Sequence, residues 1–174
     1  MKNYLLLVLC LLSLGLKAQK LTVGKVAYIN LPKNAKAING SQLLAKSTAI
    51  MTEADIKHLP KTHNLYEKDG VAIGLWEMQQ GDTKRSLEEI QKESEGMFKT
   101  LKTKNVLVSS NIQKYKGTKY LILQIKDGDF YYYRFYSDQH NYLSVNGFIK
   151  YKKEDNDKAN AILKELLNNT QFKN

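Results

Sequence analysis

Cysteine, proline and arginine are scarce in this sequence of 174 residues, which contains one cysteine, two prolines and two arginines. Cys10 is the single cysteine, so no disulfide can form within the chain. Cys10 also lies in an N-terminal segment that we expect to be removed, which excludes cysteine nucleophiles and cysteine–zinc sites from the mature protein. Pro32 and Pro60 stand at apparent segment ends, and no glycine-rich linker or repeat divides the chain. A single domain over residues 19–174 is therefore predicted.

Residues 1–18 have the pattern of a cleavable secretory signal peptide. Lys2 precedes an apolar run from Tyr4 to Leu16, and Ala18 offers a small residue at the cleavage site. The run is shorter than the roughly 20 apolar residues that a membrane-spanning helix needs. Cys10 lies inside the run without a small residue before it, which argues against lipid anchoring. The sequence therefore predicts export to the periplasm or the medium.

The remaining charge is strongly positive, and lysine supplies nearly all of it. The formal net charge of +10 falls to +8 after cleavage, because Lys2 and Lys17 leave and no acidic residue does. Lysine suits hydrated surfaces, whereas bidentate phosphate recognition favours arginine. Such a surface can attract acidic proteins, polysaccharides or lipid headgroups. Simple solubility is the preferred interpretation.

Patterning along the chain predicts an α+β domain. One or two short strands are expected within Leu21–Leu31, a short helix over Gly40–Met51 and a loop over Thr52–Thr62. Asn64–Met78 reads as extended around the turn Asp69-Gly70. A long helix is expected from about Thr83 to Lys102. It begins with a Ser86/Glu89 capping box and carries an apolar stripe of Leu87, Ile90, Met97, Phe98 and Leu101. Four strands and a last helix are expected after it: Val106–Tyr115, Lys119–Lys126, Asp129–Tyr136, Tyr142–Tyr151 and the helix Asp155–Asn168.

The Asp127-Gly128 turn predicts which residues share a face of the sheet. With these two residues in the turn, Ile125 faces Phe130, Leu123 faces Tyr132 and Leu121 faces Arg134. The opposite face then holds Tyr120, Ile122, Gln124, Tyr131, Tyr133 and Phe135. Continuing through the next loop places Tyr142 beside Phe135, and Val145 beside Tyr132. Because both faces are largely apolar, each requires cover. The expected fold is a three-layer α/β/α sandwich with a central antiparallel sheet.

Three polar groupings invite a catalytic or metal-binding interpretation, and each has a simpler explanation. His58 and His63, near Glu67 and Asp69, could gather a metal ion, but they lie in a predicted loop without fixed spacing. Ser137, Asp138 and His140 occupy one tight turn, where such residues are common for backbone reasons. The pairs Glu88/Glu89 and Asp155/Asp157 lie in first turns of predicted helices and are assigned to capping. No catalytic, metal or cofactor residue is therefore predicted, and the protein is expected not to be an enzyme.

The aromatic segment Phe130–Tyr136 is the most unusual string. Aromatic rings interleaved with a cation can stack bases or sugars, but strand alternation divides these residues between two faces. Packing is the preferred interpretation, and export makes nucleic acid an improbable partner. If the segment binds a ligand, Tyr120, Tyr131 and Tyr133 on the more polar face are the expected contacts.

From about Lys20 to Phe172 the order of segments resembles the PsbP-like superfamily of PsbP, Mog and DcrB-type proteins. The shared features are the long helix Ser86–Lys102, the strand Val106–Tyr115 and the segment KGTKYLILQIKDGDFYYYRFYSDQHNYLSVNGFIKYKKEDNDKANAILKELLNNTQF. The resemblance implies an α/β/α sandwich and a non-enzymatic role in binding or assembling partners. It transfers no functional residue, and it is poorest over Gly40–Thr62.

These observations predict an exported, non-enzymatic accessory protein that binds a protein partner in the cell envelope. A carrier of a small ligand or polyanion, using Tyr120, Tyr131 and Tyr133, is the alternative. A metal-dependent enzyme built around His58 or His63 is the third hypothesis.

Overall fold

The computed structural model describes residues 19–38, 64–79, 85–100 and 105–173. The expectations for the signal peptide, for the Gly40–Met51 helix, for the following loop, and for His58 and His63 lie outside these residues. The elements in chain order are β1 (Lys20–Val23), β2 (Ala27–Asn30), β3 (Lys36–Ala37), β4 (Asn64–Lys68), β5 (Val71–Gln79), α1 (Leu87–Thr100), β6 (Asn105–Tyr115), β7 (Thr118–Asp127), β8 (Phe130–Ser137), β9 (Leu143–Lys152), a 3₁₀ turn (Lys153–Asp155), α2 (Asn156–Asn168) and β10 (Thr170–Phe172).

The strands form two antiparallel sheets, which confirms the mixed α+β class. The large sheet has the order β3-β4-β5-β9-β8-β7-β6, and the small sheet has the order β1-β2-β10. Strand β10, which was not predicted from the sequence, closes the small sheet by pairing with β2. The four strands predicted after the long helix are all present, each within a residue or so of its expected bounds.

Two tight turns form where the sequence places them. Asp69-Gly70 joins β4 to β5 with φ of 51° and 82°, and Lys116-Gly117 joins β6 to β7 with φ of 44° and 94°. Two consecutive residues with positive φ match the twist of a two-residue hairpin.

The β7–β8 hairpin has the predicted faces but a different register. Ile125 faces Tyr132 and Leu123 faces Arg134, so the predicted pairs are wrong by two positions. Gly128 and Asp129 form the turn, and Gly128 supplies the positive φ of 59° at its first position. A slip of two residues leaves every side chain on its predicted face, whereas a slip of one would invert the faces.

The predicted pairing of β9 is wrong and its faces are inverted. Phe135 faces Gly147 rather than Tyr142, and Val145 belongs to the core on the Tyr120 side. Asn141 and Tyr142, with φ of 52° and 62°, form a turn closed by mutual backbone hydrogen bonds between His140 and Leu143 at 2.8 and 3.0 Å. The displacement of the pairing by an odd number of residues turns each β9 side chain to the other face.

One helix packs against each face of the β7–β8 region. Leu87, Ile90 and Phe98 of α1 pack against one face, which carries Leu121, Leu123 and Ile125. On the other face, α2 and the small sheet enclose the larger core, whose α2 members are Ala159, Ile162, Leu163, Leu166 and Leu167. Met97, predicted to belong to the α1 stripe, is instead 48% exposed.

The capping box at the start of α1 is confirmed. The Glu89 amide donates to the Ser86 hydroxyl at 3.1 Å, and the Ser86 amide donates to the Glu89 carboxylate at 2.8 Å. These bonds satisfy two amides that otherwise lack partners at a helix start. The bond from the Ser86 amide, together with one from the Ser86 hydroxyl to the same carboxylate at 3.0 Å, lowers the pKa of Glu89, because both favour its ionised form.

Two phenylalanine rings lie over glycines on neighbouring strands at the centre of the large sheet. Phe135 is directly opposite Gly147, and Phe148 is directly opposite Gly74. A Cβ added at Gly147 would collide with the Phe135 ring and come within 2.6 Å of the Gly74 carbonyl oxygen. A Cβ added at Gly74 would collide with the Phe148 ring. These glycines are therefore required for packing on both faces of the sheet.

Gly147→Ala is expected to lower the free energy of unfolding by about 1–3 kcal/mol, the usual cost of overpacking. Gly96→Ala is the control, because Gly96 lies in α1 with open space around its Cα. Alanine there should raise stability by about 1 kcal/mol through helix propensity. Urea denaturation followed by circular dichroism measures both. Equal stability of Gly147→Ala and the parent protein would contradict the packing argument.

Candidate functional site

Three tyrosine rings stack where β8 and β9 lie side by side. Tyr131 and Tyr133 flank Tyr151, with ring centroids 5.9 and 5.1 Å away and interplanar angles of 26° and 24°. Tyr131 faces Tyr151 across the strand pair, and Tyr133 is its diagonal neighbour on the same face. The stack therefore follows directly from the β8–β9 register.

A polar network fixes this stack to the start of α2. Gln124 Nε2 donates to the Tyr151 hydroxyl at 2.7 Å and to Asn156 Oδ1 at 3.2 Å. The hydroxyls of Tyr133 and Tyr151 donate to the same Asn156 oxygen at 3.0 and 3.2 Å. Because Asn156 is the first residue of α2, the network joins three strands to the helix.

An open pocket of about 310 Å³ lies beside the stack, lined by Tyr131, Tyr151, Lys153 and Asn156. Its volume is at the lower end of the range for small-molecule sites. Tyr151 itself is fully buried between the rings of Tyr131 and Tyr133, so Tyr131 provides the accessible ring of the pocket. Lys153 and Asn156 add an ammonium side chain and a side-chain amide. This pocket is the candidate functional site.

The three tyrosines predicted to contact a ligand have different environments. Tyr131 lines the pocket, and Tyr133 lies beside Tyr151 and bonds to Asn156. Tyr120 is completely buried and packs edge-to-face on Tyr115, with centroids 6.0 Å apart. Tyr120 therefore belongs to the core and does not line the pocket. Tyr151, Lys153 and Asn156 were missed, because only the correct β9 register brings Tyr151 beside Tyr131.

A second open cavity, of about 340 Å³, lies at the same end of β8 and β9. It is lined by Asp129, Phe130, Lys152 and Glu154. Lys150 lies nearby, with Nζ 4.9 Å from the Phe130 ring centroid and 4.7 Å from that of Tyr132. Since Lys150 is only 2% exposed, these rings form part of the environment that holds its charge.

The Ser137, Asp138 and His140 group is tied to the backbone of its own turn. Ser137 is fully buried; its hydroxyl donates to the Asp138 carbonyl at 2.8 Å and accepts from the Val145 amide at 2.9 Å. His140 Nε2 lies 3.5 Å from Asp138 Oδ1, and its ring stacks on Phe172 at 3.8 Å. Both bonds of Ser137 therefore serve the connection between β8 and β9.

The acidic pairs at the helix starts have unequal roles. Glu89 caps α1 as predicted. Asp157 lies in the first turn of α2, where its charge offsets the helix dipole as predicted, whereas Asp155 precedes α2 and makes no side-chain capping bond. Its carboxylate instead pairs with Lys158 at 2.7 Å, which raises the pKa of Lys158 because the carboxylate accepts a hydrogen bond from the ammonium.

Within the described ranges, no cluster of three or more histidine, cysteine or acidic residues could hold a metal ion. No helix in the same part of the chain is long and apolar enough to cross a membrane.

Burial raises the pKa of both Tyr120 and Tyr151, because desolvation penalises the phenolate. The neighbouring Tyr133 hydroxyl raises the pKa of Tyr151 further, whereas the hydrogen bond from Gln124 lowers it. Because the pKa of each tyrosine is higher in the folded than in the unfolded chain, its contribution to the free energy of unfolding is complete below about pH 10, the ordinary tyrosine pKa. The contribution is lost as the pH rises further.

Alkaline unfolding should therefore steepen above about pH 10, by about 1.4 kcal/mol per pH unit for each such tyrosine. In Tyr151→Phe the dependence of the unfolding free energy on pH should be smaller by the contribution of one proton, because phenylalanine cannot ionise in the unfolded chain. The free energy of unfolding, measured by urea denaturation between pH 9 and 11, tests this expectation. Tyr28→Phe is the control, since Tyr28 lies half-buried on the small sheet. An unchanged slope in Tyr151→Phe would show that Tyr151 ionises normally when folded.

No protein-family model matches the sequence, and no curated protein is detectably similar to it in sequence. Similar solved structures do exist, and one is the solution structure of cyanobacterial PsbP (CyanoP) from Synechocystis sp. PCC 6803. The alignment covers 91% of this chain and 95% of that chain, with a TM-score of 0.57 and 8% sequence identity. At this identity the similarity concerns the fold alone. The chain has a PsbP-like fold.

Proposed function

We propose that this protein is exported and acts as a non-enzymatic accessory protein that binds a protein partner in the cell envelope. The observation that carries the proposal is the outer edge of β6, which offers backbone groups and apolar side chains for pairing. The expected occupant is an extended segment of the partner.

Strand β6 is the last strand of the large sheet among the described residues, and it is eleven residues long. Edge strands present unpaired amides and carbonyls to which another chain can add a strand. Val106 and Val108 are 56% and 50% exposed. Their exposure provides apolar contact area beside the available backbone.

Two features restrict which segments can pair with β6. The register with β7 shifts between Leu107 and Ser109, so the strand is bulged at Val108. The Gln91 side chain of α1 also donates to the Ser110 carbonyl at 3.2 Å. Bulges and covering side chains are common protection against unselective edge pairing. These features favour a matched partner over indiscriminate association.

Charge defines the chemistry of the expected partner segment. Lys114 and Lys116 are exposed at the end of β6 opposite to Val106 and Val108. A complementary segment would carry apolar residues at one end and acidic residues at the other. The positive net charge of the chain would accelerate the encounter with such a partner.

We further propose that the domain is a three-layer α/β/α sandwich with the large sheet as its central layer. It is supported by the packing of α1 on the Leu121 face and of α2 on the Tyr120 face. The PsbP-like resemblance implies partner-binding and assembly roles, which accord with the proposed function.

The second candidate function is that of a small-ligand carrier. The pocket beside Tyr131 and Tyr151 favours it, although Tyr120 is buried away from the pocket. A carrier role does not require the β6 edge, so the two candidates can be tested separately.

Export predicts that the mature protein begins at Gln19, after removal of residues 1–18. Intact-mass measurement of protein recovered from the envelope fraction or the medium tests this expectation. A variant with Leu7→Arg, which interrupts the apolar run, should remain inside the cell with its full mass. Full-length protein recovered only from the cytosol would overturn the export proposal.

A photo-crosslinking residue at position 108 is expected to capture one envelope protein. The double variant Val108→Lys/Lys114→Glu should abolish binding of that protein. The matched control places the crosslinker at Met97, which is similarly exposed but lies on α1. Hydrogen exchange then maps the interface in the purified complex. The β6 amides should become more protected, whereas exposed parts of α1 should not. Equal capture from Met97, or unchanged β6 protection, would contradict an edge interface.

A further inference from the structure

We infer that the pocket lined by Tyr131, Tyr151, Lys153 and Asn156 binds a six-membered ring that carries a carboxylate. The pocket lies on the α2 side of β8 and β9, apart from the edge of β6. The inference therefore does not depend on the proposed partner interface.

The aromatic wall of this pocket is held in place before a ligand arrives. Tyr131 stacks on Tyr151, and Tyr133 supports Tyr151 from the other side. The Tyr151 hydroxyl accepts from Gln124 at 2.7 Å and donates to Asn156 at 3.2 Å. A wall fixed by packing and hydrogen bonds costs little conformational entropy on binding. Its flat face suits either the face of an aromatic ring or the apolar C–H face of a sugar ring.

The polar groups of the pocket are mainly hydrogen-bond donors. Asn156 Oδ1 already accepts from Gln124, Tyr133 and Tyr151. The Asn156 amide nitrogen makes only a long 3.4 Å contact with Asp157 among the described residues, so it retains capacity to donate. Lys153 adds an ammonium group. A ligand that matches these donors must supply acceptors, and a carboxylate supplies two oxygens and the complementary charge.

Nearby acidic residues do not remove the preference of the pocket for a carboxylate. Asp155 is neutralised by its 2.7 Å pair with Lys158, and Asp157 is exposed to solvent, where water screens its charge. The volume of about 310 Å³ admits one ring and its substituent. The cavity on the other side of the strands contains Asp129 and Glu154 with Lys152, and its mixed charge does not favour an anion.

The experiment titrates the purified mature chain with 4-hydroxybenzoate and with glucuronate, using saturation-transfer NMR and calorimetry. These probes distinguish an aromatic ring from a sugar ring, and phenol and glucose serve as their uncharged counterparts. Saturable binding of at least one carboxylate, at least about tenfold tighter than its uncharged counterpart, is expected from a charge-assisted hydrogen bond. No saturable binding of either carboxylate, or equal binding of the uncharged ring, would overturn the inference.

Matched variants locate the site. Lys153→Gln should weaken carboxylate binding about tenfold, whereas Lys152→Gln, which alters the neighbouring lysine in the other cavity, should change it less than twofold. Tyr131→Ala should abolish binding and Tyr131→Phe should retain it, because the ring face provides the contact. Circular dichroism confirms that each variant is folded. Equal weakening by Lys152→Gln and Lys153→Gln would indicate general charge attraction and would contradict a built site.

Discussion

Strand β9 is buried from Ser144 to Tyr151 on both faces of the large sheet, and the rest of the fold provides its cover. One face of the strand is apolar, whereas the other carries the buried polar side chains of Ser144, Asn146 and Lys150 beside Phe148. The cover of the first face must therefore be apolar, and that of the second must also supply polar partners, such as the Met78 carbonyl for Ser144. The α2 helix and the small sheet meet this need on the side of Val145, Ile149 and Tyr151. On the opposite side, Phe148 packs with Ile38, Leu65, Trp76 and Tyr132.

The same strand determines the position of the tyrosine pocket. The Phe135–Gly147 pair sets the β8–β9 register at the sheet centre, and four residues earlier along β8 that register places Tyr131 opposite Tyr151. The hydroxyl of Tyr151 then reaches Asn156 at the start of α2. A side-chain pocket at the end of the sheet is thus coupled to packing at its middle. Changes to the central glycines would be expected to disturb the pocket as well as stability.

Local chemistry was sufficient to predict many elements, but the pairing between them required the structure. The Ser86/Glu89 capping box and the Asp69-Gly70 turn depend on neighbouring residues, and both are present. The β7–β8 faces were also predicted, because a slip of two positions preserves them. The β9 faces were wrong, since the Asn141-Tyr142 turn and the irregular residues before it shift the pairing by an odd number. Tyr151, and with it the pocket, could not be placed without that register.

The small sheet joins segments from the two extremes of the described chain. β10 pairs with β2, the Lys173 amide donates to the Val26 carbonyl at 2.9 Å, and the Asn30 amide donates to the Asn169 carbonyl at 3.3 Å. The pairing of β2 can therefore be completed only after residues 170–173 have been synthesised. Contacts between such distant segments form slowly, because closing the long intervening loop costs entropy. Completion of the small sheet is therefore expected to be a late step in the folding of the chain.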